Sequence, residues 1–525
     1  MPSTAAPVPD VAALVTAAAS EHPERLAIVE ARGRGLTWSG LDAEVDRVTT
    51  GLGEAGIVAG MRVMVAMTNR LEFVTGYLGV LRAQAVAVPV NPASTPSEIA
   101  RIIDDAGIRL VLADPDGIAT VRAAVATLAT RPLVVVVGAA AEPGELGYDD
   151  LLADHARAVP PLPDPEKLAV LLYTSGTSGL PRAAMLTHRA LLANVAQVAA
   201  VEPPMIHADD VVLGLLPLFH VYGLGAVLGS VIQHRAKLVL ADRFDPDGTL
   251  NLIEDEACSV IPVAPPVFAA WRGVDALAER LGPVRMILSG SAPLPAEVVE
   301  EFTALAGVPI HQGYGLTEAA PVVTSTLRSV TAKPGSVGAA LEGIDLRLVD
   351  DDGSPLPDTE SEDAGEIQIR GANLFSGYWP DQADGPDGDG WWSTGDVGFL
   401  DADGDLFLVD RVKEIVIVSG FNVYPTEVEA VIGEVAGVRQ VAVIGVPDDE
   451  TGEAVHAHVV PADGDAGAVD ALVAAIDAAC AEHLAPYKRP RRVEVVDALP
   501  RTVTGKIRKG LLRGQQRRAA SSLVD

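Results

Sequence analysis

Apolar positions along this chain follow two rhythms. Runs of strand length occur at 62–67, 85–90, 110–113 and 133–137. Between them lie alanine-rich stretches such as 97–106, where apolar residues recur at helical spacing. Alternating strands and helices predict α/β layers on mostly parallel sheets. The rhythm resumes from Leu168 to Gly315, with strands expected at 211–216, 236–241, 260–264 and 285–289.

From about Lys333 to Asp410 the pattern changes. Turn-forming sequences crowd in, as in Asp350-Asp351-Asp352-Gly353 and Asp401-Ala402-Asp403-Gly404. Short alternating segments such as 366–370 predict a small β-rich subdomain. The Asp-, Gly- and Pro-rich stretch 380–390 is expected as an exposed loop. From Arg411 the α/β rhythm returns in a compact C-terminal piece.

Composition narrows the class. At 525 residues the chain is too long for one core. Hydrophobic residues make up 49% and aromatics only 4%, so the core must use small and β-branched side chains. The net charge of −32 argues against a nucleic-acid partner and is read as solubility. The exception is the tail, where eleven Lys or Arg lie between Lys488 and Arg518 against two acids, Glu494 and Asp497. Such a tail suits a solvated face or an anionic ligand such as a nucleotide. Cys258 and Cys480 are far apart, with no metal spacing and no disulfide framework, which points to a reducing, cytoplasmic setting. The apolar run 11–19 has no basic region before it and is read as a first amphipathic helix rather than a signal peptide. No uncharged apolar stretch of about 20 residues occurs, so no membrane span is expected.

Candidate chemistry sits in a few segments. Tyr173-Thr174-Ser175-Gly176-Thr177-Ser178-Gly179-Leu180-Pro181-Arg182 follows a predicted strand. Its glycines permit close backbone approach, and its hydroxyls and N–H groups can surround phosphate oxygens. It lacks the Gly-Lys-Ser/Thr of a Walker A loop. Gly313-Tyr314-Gly315-Leu316-Thr317-Glu318 offers an aromatic face for a purine, a hydroxyl for a phosphate and a carboxylate for Mg²⁺. Thr394-Gly395-Asp396 can present a carboxylate to ribose. Leu218-Phe219-His220 and the basic 500–508 segment complete the set. Singly, each is equally a turn, a core edge or a solvated loop.

Together and in this order they resemble the superfamily of adenylate-forming enzymes, which includes acyl- and aryl-CoA synthetases, peptide-synthetase adenylation domains and luciferases. The resemblance runs from about Leu14 to Arg513, carried by 173–182, 216–223, 313–318, 393–396, 410–429 and 500–509. It implies an α/β fold: a large N-terminal adenylation domain over 1–410, with two α/β subdomains and a small β-rich one, and a small mobile α+β domain over 411–525. It further implies that Thr174, Ser175, Gly176, Thr177, Ser178, Gly179 and Arg182 embrace the ATP phosphates. Gly290, Ser291, Ala292, Gly313, Tyr314 and Gly315 would form the adenine pocket, and Asp396 with Arg411 would hold the ribose. Thr317 would meet the α-phosphate, Glu318 would ligate Mg²⁺, and Lys506 would serve the attacked phosphorus. His220 would gate the acyl channel, Lys413 would be a hinge, and Gly420 would make room for pantetheine.

The family's usual Pro-Lys-Gly reads Pro181-Arg182-Ala183 here, and Asp410 replaces a usual glycine. Peptide synthetases carry an amino-group anchor where His220 stands, so an α-amino acid is disfavoured. Val221, Tyr222, Gly223, Val263, Ala264, Pro265 and Val267 are the candidates for the acyl pocket; they are mostly apolar and small, which suits an alkyl chain or a flat ring. The resemblance thus implies an acyl-CoA synthetase using ATP, Mg²⁺, coenzyme A and a small-molecule carboxylic acid, acting as a monomer or homodimer. A fatty or related aliphatic acid leads, with an aryl acid of the coumarate or benzoate type second and a small dicarboxylate third. A luciferase-like oxygenase and an inactive nucleotide-binding homologue are the readings from other classes.

Overall fold

A computed structural model describes residues 10–516 apart from 32, 158, 161–163, 175–180, 293, 351–352, 357–363, 412–413, 415, 419–420, 449–450, 463–468, 485, 502–505 and 514–515. Residues 410, 411, 417, 421, 422 and 452 are described by backbone alone. The chain forms two compact units, a larger one of residues up to 176, 181–345 and 369–392, and a smaller one of 346–368 and 393 onward.

In chain order the strands of the larger unit's two big sheets are β1 (Leu26–Glu30), β2 (Gly35–Thr37), β3 (Arg62–Ala66), β4 (Val86–Pro89), β5 (Ile108–Ala113), β6 (Leu133–Val136) and β7 (Leu146–Gly147). There follow β8 (Leu168–Thr174), β9 (Arg182–Thr187), β10 (Val211–Gly214), β11 (Lys237–Leu240), β12 (Val260–Val263), β13 (Met286–Ser289) and β14 (Ile310–Gln312). One sheet has the order β7-β6-β5-β3-β4-β8-β9 and the other β14-β13-β12-β10-β11-β1-β2. All pairings are parallel except the edge pairs β8–β9 and β1–β2. Helices cover the sheets, so central strands are apolar throughout: Val63–Ala66 and Leu110–Ala113 are fully buried. The predicted helix at 97–106 is Pro96–Ala106, started by a Thr95/Glu98 capping box and ended by Gly107 at φ 59°.

Each sheet has a point where the chain reverses direction across it. β3 has β4 on one side and β5 on the other, and β10 has β11 on one side and β12 on the other. The carboxyl ends of strands at such points open a crevice in which ligands bind. The crevice at β3 is bridged by protein: Asn69 Nδ2 donates to the carbonyls of Gly214 (3.0 Å) and Leu216 (2.9 Å), and Leu218 N donates to Asn69 Oδ1 (2.9 Å). Asn69 therefore anchors the chain leaving β10.

The smaller unit contains most of a four-stranded sheet, Ile344–Val349, Gly365–Gly371, Trp392–Leu400 and Leu406–Arg411, as the dense turn signals predicted. Beyond it a five-stranded mixed sheet packs with the helices Pro425–Gly433 and Val469–His483 around Val416, Ile432, Val443, Val455 and Ile476. The architecture is thus a large N-terminal α/β domain followed by a small C-terminal domain. No helix among the described residues is long and apolar enough to cross a membrane.

Candidate active site

Four adjacent strands, β10, β12, β13 and β14, deliver most of the sequence-predicted residues at their carboxyl ends. From β10 the chain passes through Pro217 to His220, whose N–H donates to Pro217 O (3.0 Å) and whose Nδ1 accepts from Tyr222 N (3.3 Å). It then forms a π-helix, Tyr222–Gly229. Glycines make that wide turn possible at close quarters: a Cβ on Gly223 would lie 2.3 Å from Pro217 O, and one on Gly225 would lie 2.8 Å from Pro321 Cδ. Gly223, expected to give room to an acyl group, therefore faces backbone.

Tyr222 reaches across to β13, its hydroxyl 3.4 Å from Leu288 O. A Cβ on Gly290 would lie 2.7 Å from the Tyr222 ring, so the glycine is what lets the ring settle over the strand end. Burial pushes the Tyr222 phenol up and keeps it neutral. Val263 and Val267, also expected in an acyl pocket, pack into the core with Phe268 and Trp271. Val221 is buried, while Ala264 and Pro265 sit at the end of β12.

β13 and β14 run parallel with Ser289 opposite Gln312, so Gly290-Ser291-Ala292 and Gly313-Tyr314-Gly315 leave neighbouring strand ends. Ser289 Oγ and Ser291 Oγ are buried with no hydrogen-bond partner among the described residues, and Ser291 has a φ of 74°. Orphaned hydroxyls at strand ends are the kind of group a bound ligand satisfies. Tyr314 is not in a loose turn. Its N–H donates to Thr324 Oγ1 (3.2 Å) and its carbonyl accepts from Val323 N (2.9 Å). A Cβ on Gly313 or Gly315 would lie 2.7 Å from Thr324 O or 2.4 Å from Pro321 O. The single helical turn Thr317–Ala319 then buries Glu318, at 8% exposure.

The phosphate-loop residues Ser175, Gly176, Thr177, Ser178 and Gly179 lie outside the described residues. Both ends of the loop are described: Thr174 and Arg182 face each other across β8 and β9. Arg182 forms an ion pair with Asp384 (2.7 Å), and its guanidinium lies 3.8 Å from the centroid of the Tyr378 ring. Tyr378 in turn donates its hydroxyl to Glu318 Oε1 at 2.6 Å. Burial and the facing Glu318 carboxylate both push the Tyr378 phenol up, so it remains a donor. Tyr378 and Asp384 were not singled out in the sequence. The available signal was an aromatic pair after a glycine, Gly377-Tyr378-Trp379, entering the expected loop at 380–390.

The smaller unit holds the remaining candidates. Thr394-Gly395-Asp396 is part of the strand Trp392–Leu400 rather than a turn; Gly395 has a φ of 75° and its N–H donates to Glu366 Oε1 (3.1 Å). Asp396 is 8% exposed and stands directly opposite Arg411 in strand register. Lys413 and Gly420 lie outside the described residues, as does the side chain of Arg411. Lys506 is exposed beside the bridge between Arg501 and Ile507.

The chain has clear relatives among known proteins. The family model described as "AMP-binding enzyme" matches residues 15–379, and "AMP-binding enzyme C-terminal domain" matches 427–506. The chain is 35% identical over 511 residues to 4-coumarate–CoA ligase 5 of Oryza sativa subsp. japonica, covering 94% of this chain and 92% of that protein. It is 31% identical over 524 residues to the long-chain-fatty-acid–CoA ligase of Bacillus subtilis (strain 168), covering 94% and 92%. Among solved structures, ATP-bound MatB from Rhodopseudomonas palustris superposes with a TM-score of 0.86 at 32% identity, covering 96% of this chain and 99% of that one.

Proposed function

The chain belongs to the AMP-binding enzyme family of AMP-forming acid–thiol ligases, and from that premise we propose that it activates a compact, flat carboxylic acid and passes it to coenzyme A. The acid's carboxylate attacks the α-phosphorus of ATP, forming acyl-adenylate and releasing pyrophosphate. The thiol of coenzyme A then attacks the acyl carbon, forming the thioester and expelling AMP. Carboxylate and phosphate repel each other, so cationic and donor groups must offset the charge that develops. Lys506, Thr317 and Arg182 supply these groups in this reading, with Tyr314 against adenine and Asp396 on the ribose.

Glu318 suits Mg²⁺. It is a hard oxygen donor that accepts a hydrogen bond from the Tyr378 hydroxyl. Among the described residues no group of three or more His, Cys, Asp or Glu is arranged for a metal. One carboxylate, completed by phosphate oxygens and water, is a usual Mg²⁺ arrangement. Bound there, Mg²⁺ would neutralise phosphate charge.

The size of the acid is argued from Tyr222. Its ring lies against Gly290, where even a methyl would come within 2.7 Å. Gly223, Val263 and Val267 are committed to packing. A wall set that close favours an aryl acid over the fatty or related aliphatic acid that the resemblance puts first. Coumarate–CoA and long-chain-fatty-acid–CoA ligases are both among the relatives, so chain length is the property to measure.

The test is pyrophosphate release by the purified protein with ATP and Mg²⁺ over a panel of benzoates, cinnamates, fatty acids and dicarboxylates. AMP and thioester are then assayed with coenzyme A. Benzoates or cinnamates should give the highest kcat/KM. A preference for long fatty acids would overturn the compact-acid reading, and no turnover with any acid would overturn the ligase reading.

A further inference from the structure

Tyr378 lies outside every motif that identifies the chemistry, yet it touches both ends of the phosphate machinery. It sits on the segment that extends the sheet beyond β9: Ser376 N donates to Met185 O (3.0 Å), Met185 N to Gly377 O (3.1 Å) and Trp379 N to Ala183 O (2.9 Å). Backbone pairing on this scale fixes where the side chain stands. Phe375 packs edge-on against the ring, centroids 5.0 Å apart. One face of the ring meets the Arg182 guanidinium and the hydroxyl meets Glu318.

An arginine and a glutamate one side chain apart in a half-buried site have a strong tendency to pair directly and bidentately. Such a pair would spend on Arg182 the negative charge that the metal needs. Here the guanidinium stacks on an aromatic face and takes its ion pair from Asp384 instead. Glu318 receives a neutral hydroxyl donor, which orients a carboxylate without neutralising it. We propose that Tyr378 is the positioning residue of the metal and phosphate end of the site, holding Glu318 in its ligating orientation and keeping Arg182 from pairing with it. The inference rests on reading Glu318 as the Mg²⁺ ligand and Arg182 as a phosphate contact.

Two variants separate the parts. Tyr378→Phe keeps the ring and removes the hydroxyl; Tyr378→Leu removes both. Two readouts are needed: the apparent Kd for ATP by calorimetry over a series of free Mg²⁺ concentrations without acid, and the Mg²⁺ dependence of pyrophosphate release. For Tyr378→Phe the half-saturating Mg²⁺ should rise roughly tenfold or more in both, as loss of a group behind a metal ligand generally causes. kcat should recover at saturating Mg²⁺. Tyr378→Leu should in addition weaken ATP binding at every Mg²⁺ concentration, because Arg182 is then released onto Glu318. Wild-type Mg²⁺ dependence in Tyr378→Phe would overturn the proposal. So would a uniform fall in kcat at unchanged half-saturation, the result of a merely structural role. Should the wild type release no pyrophosphate with any acid, the functional reading fails and the calorimetry still decides this one. If it binds no ATP either, both fall.

Discussion

Asn69 shows what a single residue contributes when its partners are backbone. It is 3% exposed and makes three hydrogen bonds to the segment between Gly214 and Leu218. Asn69→Ala would leave the Leu216 carbonyl and the Leu218 N–H without this partner, while the Gly214 carbonyl keeps its bond from Ala241 N. At about 1–3 kcal/mol for each unsatisfied group, partly offset by relaxation, the expected loss is roughly 2–4 kcal/mol. Because the segment leads directly to His220 and Tyr222, the KM for the acid should rise as well. Urea unfolding and acid titration check this; a change below about 0.5 kcal/mol would mean that water replaces the side chain. Asn69 was not legible in the sequence. Its role lies in atoms 145 to 149 residues away, and an asparagine after a strand has no signature of its own. Glu318 and Asp396 were legible as candidates because each stands in a short segment with other candidate residues. Tyr378 belongs with Asn69: its partner Glu318 is 60 residues distant.

At the scale of elements, agreement between pattern and structure follows burial. The runs at 62–67, 110–113 and 260–264 became β3, β5 and β12 to within a residue or two, because a central parallel strand has no solvent face to blur its limits. The π-helix was hidden, since what makes its glycines necessary lies elsewhere in the fold: Gly225 meets Ala320 and Pro321, and Gly229 meets the Val195 side chain. Gly395 misled similarly: a left-handed glycine suggested a turn but sits inside a strand whose register slips two residues later. Gly377 is the position where such a conformation matters most. It has a φ of 101°, and a Cβ would lie 2.2 Å from Gln382 O. Gly377→Ala should therefore cost roughly 2–4 kcal/mol and loosen the segment carrying Tyr378 from β9. Hydrogen exchange at Met185 and Trp379, whose N–H groups close that pairing, should speed up relative to the rest of the sheet. Unchanged protection there would show that the pairing does not depend on the glycine.

For the whole molecule, charge and burial make opposite predictions about acid. With a net charge of −32 and a pI near 4.6, lowering the pH from neutral relieves self-repulsion, which by itself would raise stability. Buried and half-buried histidines act the other way. His188, His234 and His311 in the larger unit, and His456 and His458 in the smaller, are all pushed below the ordinary 6.5 chiefly by burial. Above 6.5 both folded and unfolded chains carry them neutral. As the pH falls through 6.5 the unfolded chain takes up protons that the folded chain still refuses, so stability falls until the lower folded pKa is passed. Each such histidine contributes a slope of up to about 1.4 kcal/mol per pH unit. Repulsion among surface charges is screened at physiological salt, where the Debye length is about 8 Å, whereas desolvation of a buried imidazole is not. The histidines should therefore win between about pH 6.5 and 5.5, above the range where exposed carboxylates titrate. Thermal midpoints measured from pH 7.5 to 5.5 in 0.15 M salt should fall with decreasing pH. His311→Gln should make that fall shallower, because His311 Nδ1 is buried without a partner among the described residues and Arg285 further opposes its protonation. A midpoint that rises toward the pI would show that charge repulsion, not imidazole burial, controls this protein's response to acid.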